Sequence, residues 1–235
     1  HSFYSGVHLE ALERELARYI SIVADTKQDP TLNLLKVHHQ LILNLLGKAE
    51  SDYQLIGPSY NENEAKPTSG SELYKLQLRY LLGHFEEALE CGNWVGRRKT
   101  GIAATFHLPE FRFYDALMRL ALCRKVERQR QKKLLQAVEV DLRQLKKFAS
   151  FSPMNHHHRY FLVEAELARV KGNHGRVMLL YEKSIDLAKE NRFVQDEAIA
   201  CELASTYCME RGMMRIAKTY MQEAYSCYQR WGATV

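Results

Sequence analysis

Apolar residues recur along this chain at steps of three and four, and strand-like alternation is absent throughout. From His8 to Asp25 the stripe is Leu9, Leu12, Leu16, Ile20 and Val23, the spacing of one helix face. Asp29-Pro30 suits the start of a second helix, because a carboxylate can cap it and proline loses nothing in the first turn. Leu35, Leu41, Ile42, Leu45 and Leu46 continue that helix, and Gly47 stops it. Ser69-Gly-Ser-Glu72 has capping-box spacing and opens a third helix through Leu73, Leu76, Leu78, Tyr80 and Leu81 to Gly83. Pro109 starts a stretch rich in Phe111, Phe113, Tyr114, Leu117, Leu120 and Ala121. A further amphipathic helix carries Leu134, Val138, Leu142 and Leu145, and Ser152-Pro153 opens the next.

The remainder shows a 40-residue internal step. Ala165, Gly172, Val177, Tyr181 and Ser184 recur as Ser205, Gly212, Ala217, Met221 and Ala224. A small residue on one helix, a glycine that ends it and a small residue five positions later is the grammar of a helix-turn-helix repeat of the tetratricopeptide type. Gly83 followed by Ala88 repeats the step. The pattern predicts an all-α fold, a tetratricopeptide-like α-solenoid of about five antiparallel helix pairs in a single domain over 1–235. The pairs are expected at 1–47, 71–105, 108–150, 153–191 and 193–231, with structural turns at Gly83, Gly172 and Gly212. Residues 48–70 carry two prolines and few apolar residues, and are expected to form an exposed polar insertion loop.

The 235 residues are enough to bury a core without disulfides or metal. Cys91, Cys123, Cys201, Cys208 and Cys227 are odd in number and lack C-x-x-C spacing, which predicts reduced, buried thiols and a cytoplasmic location. No apolar run approaches the ~18 residues of a membrane span. The chain opens on His1 rather than Met, as a fragment of a longer protein would. A net charge of +5 neither demands nor excludes an acidic partner.

Candidate chemistry is thin. His156, His157 and His158 are successive on a helix, so they point about 100° apart and cannot converge on one ion; His38 and His39 fail likewise. No zinc-protease, phosphate-loop or dinucleotide motif occurs. No cofactor, metal or catalytic residue is predicted. Cys201 and Cys208 share a face and read as packing residues. The stretch 124–133 holds six basic residues and one acidic, the basis of an alternative function as a helical nucleic-acid-binding or transcription-regulator domain. No aromatic interleaves those charges, and a solvated connection is the simpler account. Counting back from the glycine turns places Gln77, Tyr80, Arg159, Glu166, Arg169, Glu202 and Thr206 on one side of the stack, as a groove for a peptide or helix.

The segments KLQLRYLLGHFEEAL, EFRFYDALMRLAL, HRYFLVEAELARVKG and the run from Phe193 to Ala233, with CELASTYCMERG and YQRWGA, carry a family resemblance. They resemble the helical region of large multidomain signalling kinases, which join a Ser/Thr-kinase-like domain, a STAND-type ATPase, tetratricopeptide-like helices, a GAF domain and a sensor histidine kinase. The resemblance implies a non-catalytic module that senses a protein or peptide partner and couples flanking domains. It transfers no catalytic residue, because the family's kinase and ATPase motifs lie outside this chain.

Overall fold

The structure, a computed structural model, describes residues 3–25, 29–98, 105 and 107–234. Among them the fold is all-α, with ten helices: α1 Leu9–Ala24, α2 Asp29–Leu45, α3 Ser69–Leu81, α4 Phe85–Arg97, α5 His107–Cys123, α6 Arg128–Phe151, α7 Pro153–Val170, α8 His174–Glu190, α9 Val194–Glu210 and α10 Met214–Trp231. A lone bridge between Ile56 and Asn61 is the only extended pairing among the described residues. No helix there is long and apolar enough to cross a membrane.

The chain divides into two compact units, one of His1–Phe3, Val7–Tyr114 and Gly232–Val235, the other of Tyr4–Gly6 and Asp115–Trp231. In the first unit each helix packs on its sequence neighbour, α1 on α2, α2 on α3 and α3 on α4. The core takes Leu9, Leu12 and Leu16 from α1, Leu41, Ile42 and Leu45 from α2, and Leu73, Leu76 and Leu78 from α3. Helix α3 begins one residue earlier than its sequence signal. Thr68, in extended backbone, is the N-cap: its Oγ1 accepts from the Ser71 amide at 3.0 Å, and Ser71 Oγ accepts from the Thr68 amide at 2.9 Å. Ser71 therefore fills the role expected of Glu72, whose carboxylate turns instead to Lys75 Nζ at 2.9 Å.

The loop before α3 is ordered and docked, which corrects the expectation of an exposed insertion. Leu55 and Tyr60 are buried. Gln40 Oε1 accepts from the amides of Ser59 and Tyr60, at 3.1 and 3.3 Å. Asn44 Nδ2 donates to the carbonyls of Ser51 and Gln54, at 2.6 and 2.8 Å. Glu62 accepts from the Leu55 amide at 2.9 Å and from Arg79 Nη2 at 2.7 Å. Two buried amide side chains on α2 thus satisfy the polar backbone that a structureless loop would leave to water.

In the second unit α6 packs on α7, α7 on α8, α8 on α9 and α9 on α10. The 40-residue step holds here in detail. Gly172 and Gly212 follow α7 and α9 with φ of +74° and +73°, and a Cβ at either would meet nothing within 4 Å. They are glycine for backbone reasons alone. In both turns the residue after the glycine donates back at 2.8 Å, Asn173 to the Ala168 carbonyl and Met213 to that of Cys208. Gly83 ends α3 in the same way at φ +78°. The turn between α8 and α9 has the same bond, Phe193 N to the Ala188 carbonyl at 2.8 Å, with Arg192 in the left-handed region at φ +64°. Ala165 and Ser205, Val177 and Ala217, and Ser184 and Ala224 are all buried, the small side chains letting paired helices approach closely. Trp231 is the largest fully buried side chain and closes the α9–α10 pair. Burying ~200 Å² at ~25 cal/mol/Å² makes it worth about 5 kcal/mol as an upper bound.

Candidate functional site

Five of the seven residues expected to line an open groove are inside the protein, and this corrects that expectation. Gln77 and Tyr80 belong to the first unit's core. Arg159, Glu166 and Arg169 on α7 are buried at 2, 4 and 6% exposure. Counting back from the glycines cannot show that α9 comes to lie over that face of α7.

The buried charges form two clusters. Asp196, near the start of α9, accepts on Oδ2 from Arg159 Nε at 2.7 Å, and His158 Nε2 lies 2.8 Å from the same oxygen. Burial alone would raise the Asp196 carboxyl, but the Arg159 guanidinium and His158 outweigh it and hold it below the usual carboxylate range. Burial depresses His158 despite the carboxylate beside it. The ring stacks on Phe193 at 4.5 Å. Arg169, near the end of α7, donates to Glu166 at 3.0 Å and through Nη2 to Glu210 at 2.5 Å. Tyr181 donates its hydroxyl to Glu166, and Arg124 pairs with Glu210 at 2.5 Å. Burial first, and then Glu166, push the Tyr181 hydroxyl well above its ordinary range. These clusters tie α7 to α9 near both ends, and each of their carboxylates is engaged by internal partners, while Asp196 Oδ1 is buried without a hydrogen bond. They are structural clamps.

Glu202 and Thr206 are the two predicted residues that remain accessible, exposed and half-buried respectively. Glu202 accepts from the Tyr228 hydroxyl at 2.7 Å. They border an apolar face whose meaning appears when it is compared one 40-residue step earlier. Tyr181 and Ile185 on α8 are 0 and 7% exposed, whereas their counterparts Met221 and Tyr225 on α10 are 41 and 64% exposed. Leu162 and Arg169 on α7 are likewise buried, and their counterparts Glu202 and Met209 are exposed. In the earlier copy the covering element is α9, which packs on α8 and α7 and brings Tyr207 within 6.0 Å of Tyr181. The face that accepts a helix at α7–α8 is therefore presented again, uncovered, at α9–α10. Met214 extends it at 64% exposure. Sequence reasoning missed Met209, Met214, Met221 and Tyr225. The available signal was that α10 carries a second apolar stripe beside the buried one of Ala217, Ala224, Cys227 and Trp231.

Other candidates fall away on geometry. His156 packs against Phe148, His157 against Phe161 and His158 against Asp196, so the three diverge as their spacing requires. His39 reaches Ser59 at 3.0 Å while His38 stacks on Tyr74 at 5.0 Å. Among the described residues no group of three or more His, Cys, Asp or Glu is placed to hold a metal. All five cysteines are free and buried, and burial pushes the Cys91 thiol up to about 12 and those of Cys123 and Cys227 to about 11. In the basic stretch Arg124 is engaged by Glu210, while Arg128, Lys132 and Lys133 are exposed around the first turns of α6. A cavity of about 260 Å³ in the first unit is lined by Phe3, Leu16, Leu35, His38, Tyr74 and His107 among others. No family model, curated protein or solved structure matches the chain.

Proposed function

We propose that this chain is a non-catalytic protein-interaction module, a tetratricopeptide-like α-solenoid whose α9–α10 face receives a helix. One observation carries the reading: positions covered by a helix at α7–α8 recur one step later as the exposed set Met209, Met221 and Tyr225. Stacked repeats normally present a polar outer face at their ends. An uncovered face with methionine and tyrosine at its centre is the kind of surface that docks an amphipathic helix. The resemblance to the helical region of multidomain signalling kinases gives such docking a regulatory meaning, since a bound helix would couple the module to a flanking or separate domain in the cytoplasm.

A direct test uses a synthetic peptide of Val194–Glu210, the helix that covers the equivalent face. The peptide should slow amide exchange along α10 at about 10⁻⁴ M, and the double substitution Met221→Glu, Tyr225→Glu should abolish that protection. No protection of α10, or protection that survives the double substitution, would refute the reading.

A further inference from the structure

The exposed seam of α10 has an internal order that selects its occupant. Met214, Lys218, Met221, Tyr225 and Tyr228 follow one another at steps of four, three, four and three. This is the spacing of a coiled-coil seam, on a helix whose buried face is already spent on α9. Met214, Lys218, Met221 and Tyr225 are exposed and Tyr228 is half-buried. The seam is also complementary to itself when reversed about Met221. An antiparallel copy centred on Met221 would set Lys218 within one residue of the level of Tyr225 of the second copy, and Met214 level with Tyr228 of the second copy. The first is an ammonium over a phenol face and the second a thioether against a ring, both attractive. The axis falls at Met221, which is neutral, so no charge meets itself. Two of the rings are already held. Gln229 Nε2 donates to the Tyr225 hydroxyl at 2.9 Å, and Tyr228 donates to Glu202 at 2.7 Å. Lys218 forms no ion pair among the described residues, so its ammonium can be recruited without breaking one.

We infer that the partner of this face is a second copy of the chain, joined across a two-fold axis at Met221 by antiparallel α10 helices. This rests on the reading of the α9–α10 face as a docking surface, and commits it to one occupant. A lone lysine in a seam sets register at a cost in strength, so the association should be reversible rather than obligate.

The test is sedimentation of the full chain from about 1 µM to about 1 mM, which brackets an association of middling strength. The weight-average mass should approach twice that of one chain. Met221→Glu should hold the chain monomeric with unchanged circular dichroism. Lys218→Ala removes two symmetry-related contacts and should weaken the dimer about ten-fold, the scale of two exposed cation–π contacts. Symmetry supplies a sharper arm: Met221→Cys, mildly oxidised, should give a disulfide-linked dimer, whereas Thr219→Cys, exposed but off the seam, should not. A chain that stays monomeric at the top concentration would overturn the inference, as would a Thr219→Cys dimer forming as readily as the Met221→Cys one. If the chain is monomeric yet the Val194–Glu210 peptide still protects α10, the second copy is refuted and the docking surface stands. If neither occurs, both fall.

Discussion

Lowering the pH from 7 to 5 should destabilise the first unit through two imidazoles held neutral inside it. His38 lies between Phe3, edge-on at 5.2 Å, and Tyr74, stacked at 5.0 Å. Burial lowers its pKa to about 3. His107 sits against the Tyr74 hydroxyl at 3.4 Å, and burial lowers its pKa to about 4. In the unfolded chain both titrate near 6.5. A depressed histidine leaves stability intact above the unfolded pKa, and removes it as pH falls toward the folded one. Between about pH 6 and pH 4.5 the unfolded chain therefore binds about two more protons than the folded unit. Integrated from pH 7 to pH 5, each ring withdraws about 2 kcal/mol, about 4 kcal/mol together. Most carboxylates stay ionised over that window, which keeps them out of the slope. The two tryptophans are divided between the units, so Trp231→Phe leaves Trp94 to report the first unit. Urea unfolding of that variant at pH 7, 6 and 5 measures the slope. The further pair His38→Gln and His107→Gln should flatten it. A free energy constant to about 1 kcal/mol over the window, or a slope that survives both substitutions, would refute the argument.

Asp196→Ala should cost the second unit about 3–5 kcal/mol, because it strands the Arg159 guanidinium and His158 without their carboxylate; Trp231 fluorescence in urea measures it. For the same reason, reversing Arg159 and Arg169 to Glu should unfold that unit rather than leave it intact. Gly212→Ala should cost about 1 kcal/mol, all of it backbone strain because the new Cβ meets nothing, and Gly212→Val at least as much. Arg192→Gly should gain about 0.5–1 kcal/mol in the same melts, by relieving a left-handed residue that carries a side chain. Leu55→Ala should lose about 2–4 kcal/mol from the first unit, a core-sized effect that an exposed loop could not show.

Those expectations separate what local chemistry announces from what it does not. The glycine turns were legible because only glycine adopts that backbone without cost, so Gly83, Gly172 and Gly212 mark helix ends wherever the neighbours lie. Arg192 occupies the same kind of turn and was invisible, since its side chain tolerates the strain without announcing it. Helical phase was legible from apolar spacing. Covering was not: Arg159 and Arg169 look like surface residues until Asp196 and Glu210 arrive from another helix. The docked loop failed for a related reason. Its anchors, Gln40 and Asn44, are polar residues inside an apolar stripe, and nothing in 48–68 advertises that their amides are waiting for its backbone. The α9–α10 face was half legible, with Glu202 and Thr206 placed on its border and its apolar centre overlooked.

The small segment Tyr4–Gly6 has a consequence for how the chain is made. Gln195 Nε2 donates to the Tyr4 carbonyl at 2.6 Å across a separation of 191 residues. Gly6, at φ +75°, lies so close to the Arg192 carbonyl that a Cβ would come within 2.6 Å of it. Both contacts are to the entry of α9, where Gln195 is synthesised 191 residues after Tyr4. At about 5–20 residues per second, the ribosome leaves Tyr4–Gly6 without its seat for roughly 10–40 s. Helices α1 to α4 can pair with their sequence neighbours as they emerge, but this segment must stay available until α9 exists. Any handle or fusion placed just before Tyr4 would therefore be felt late in biosynthesis, and by the second unit rather than the first.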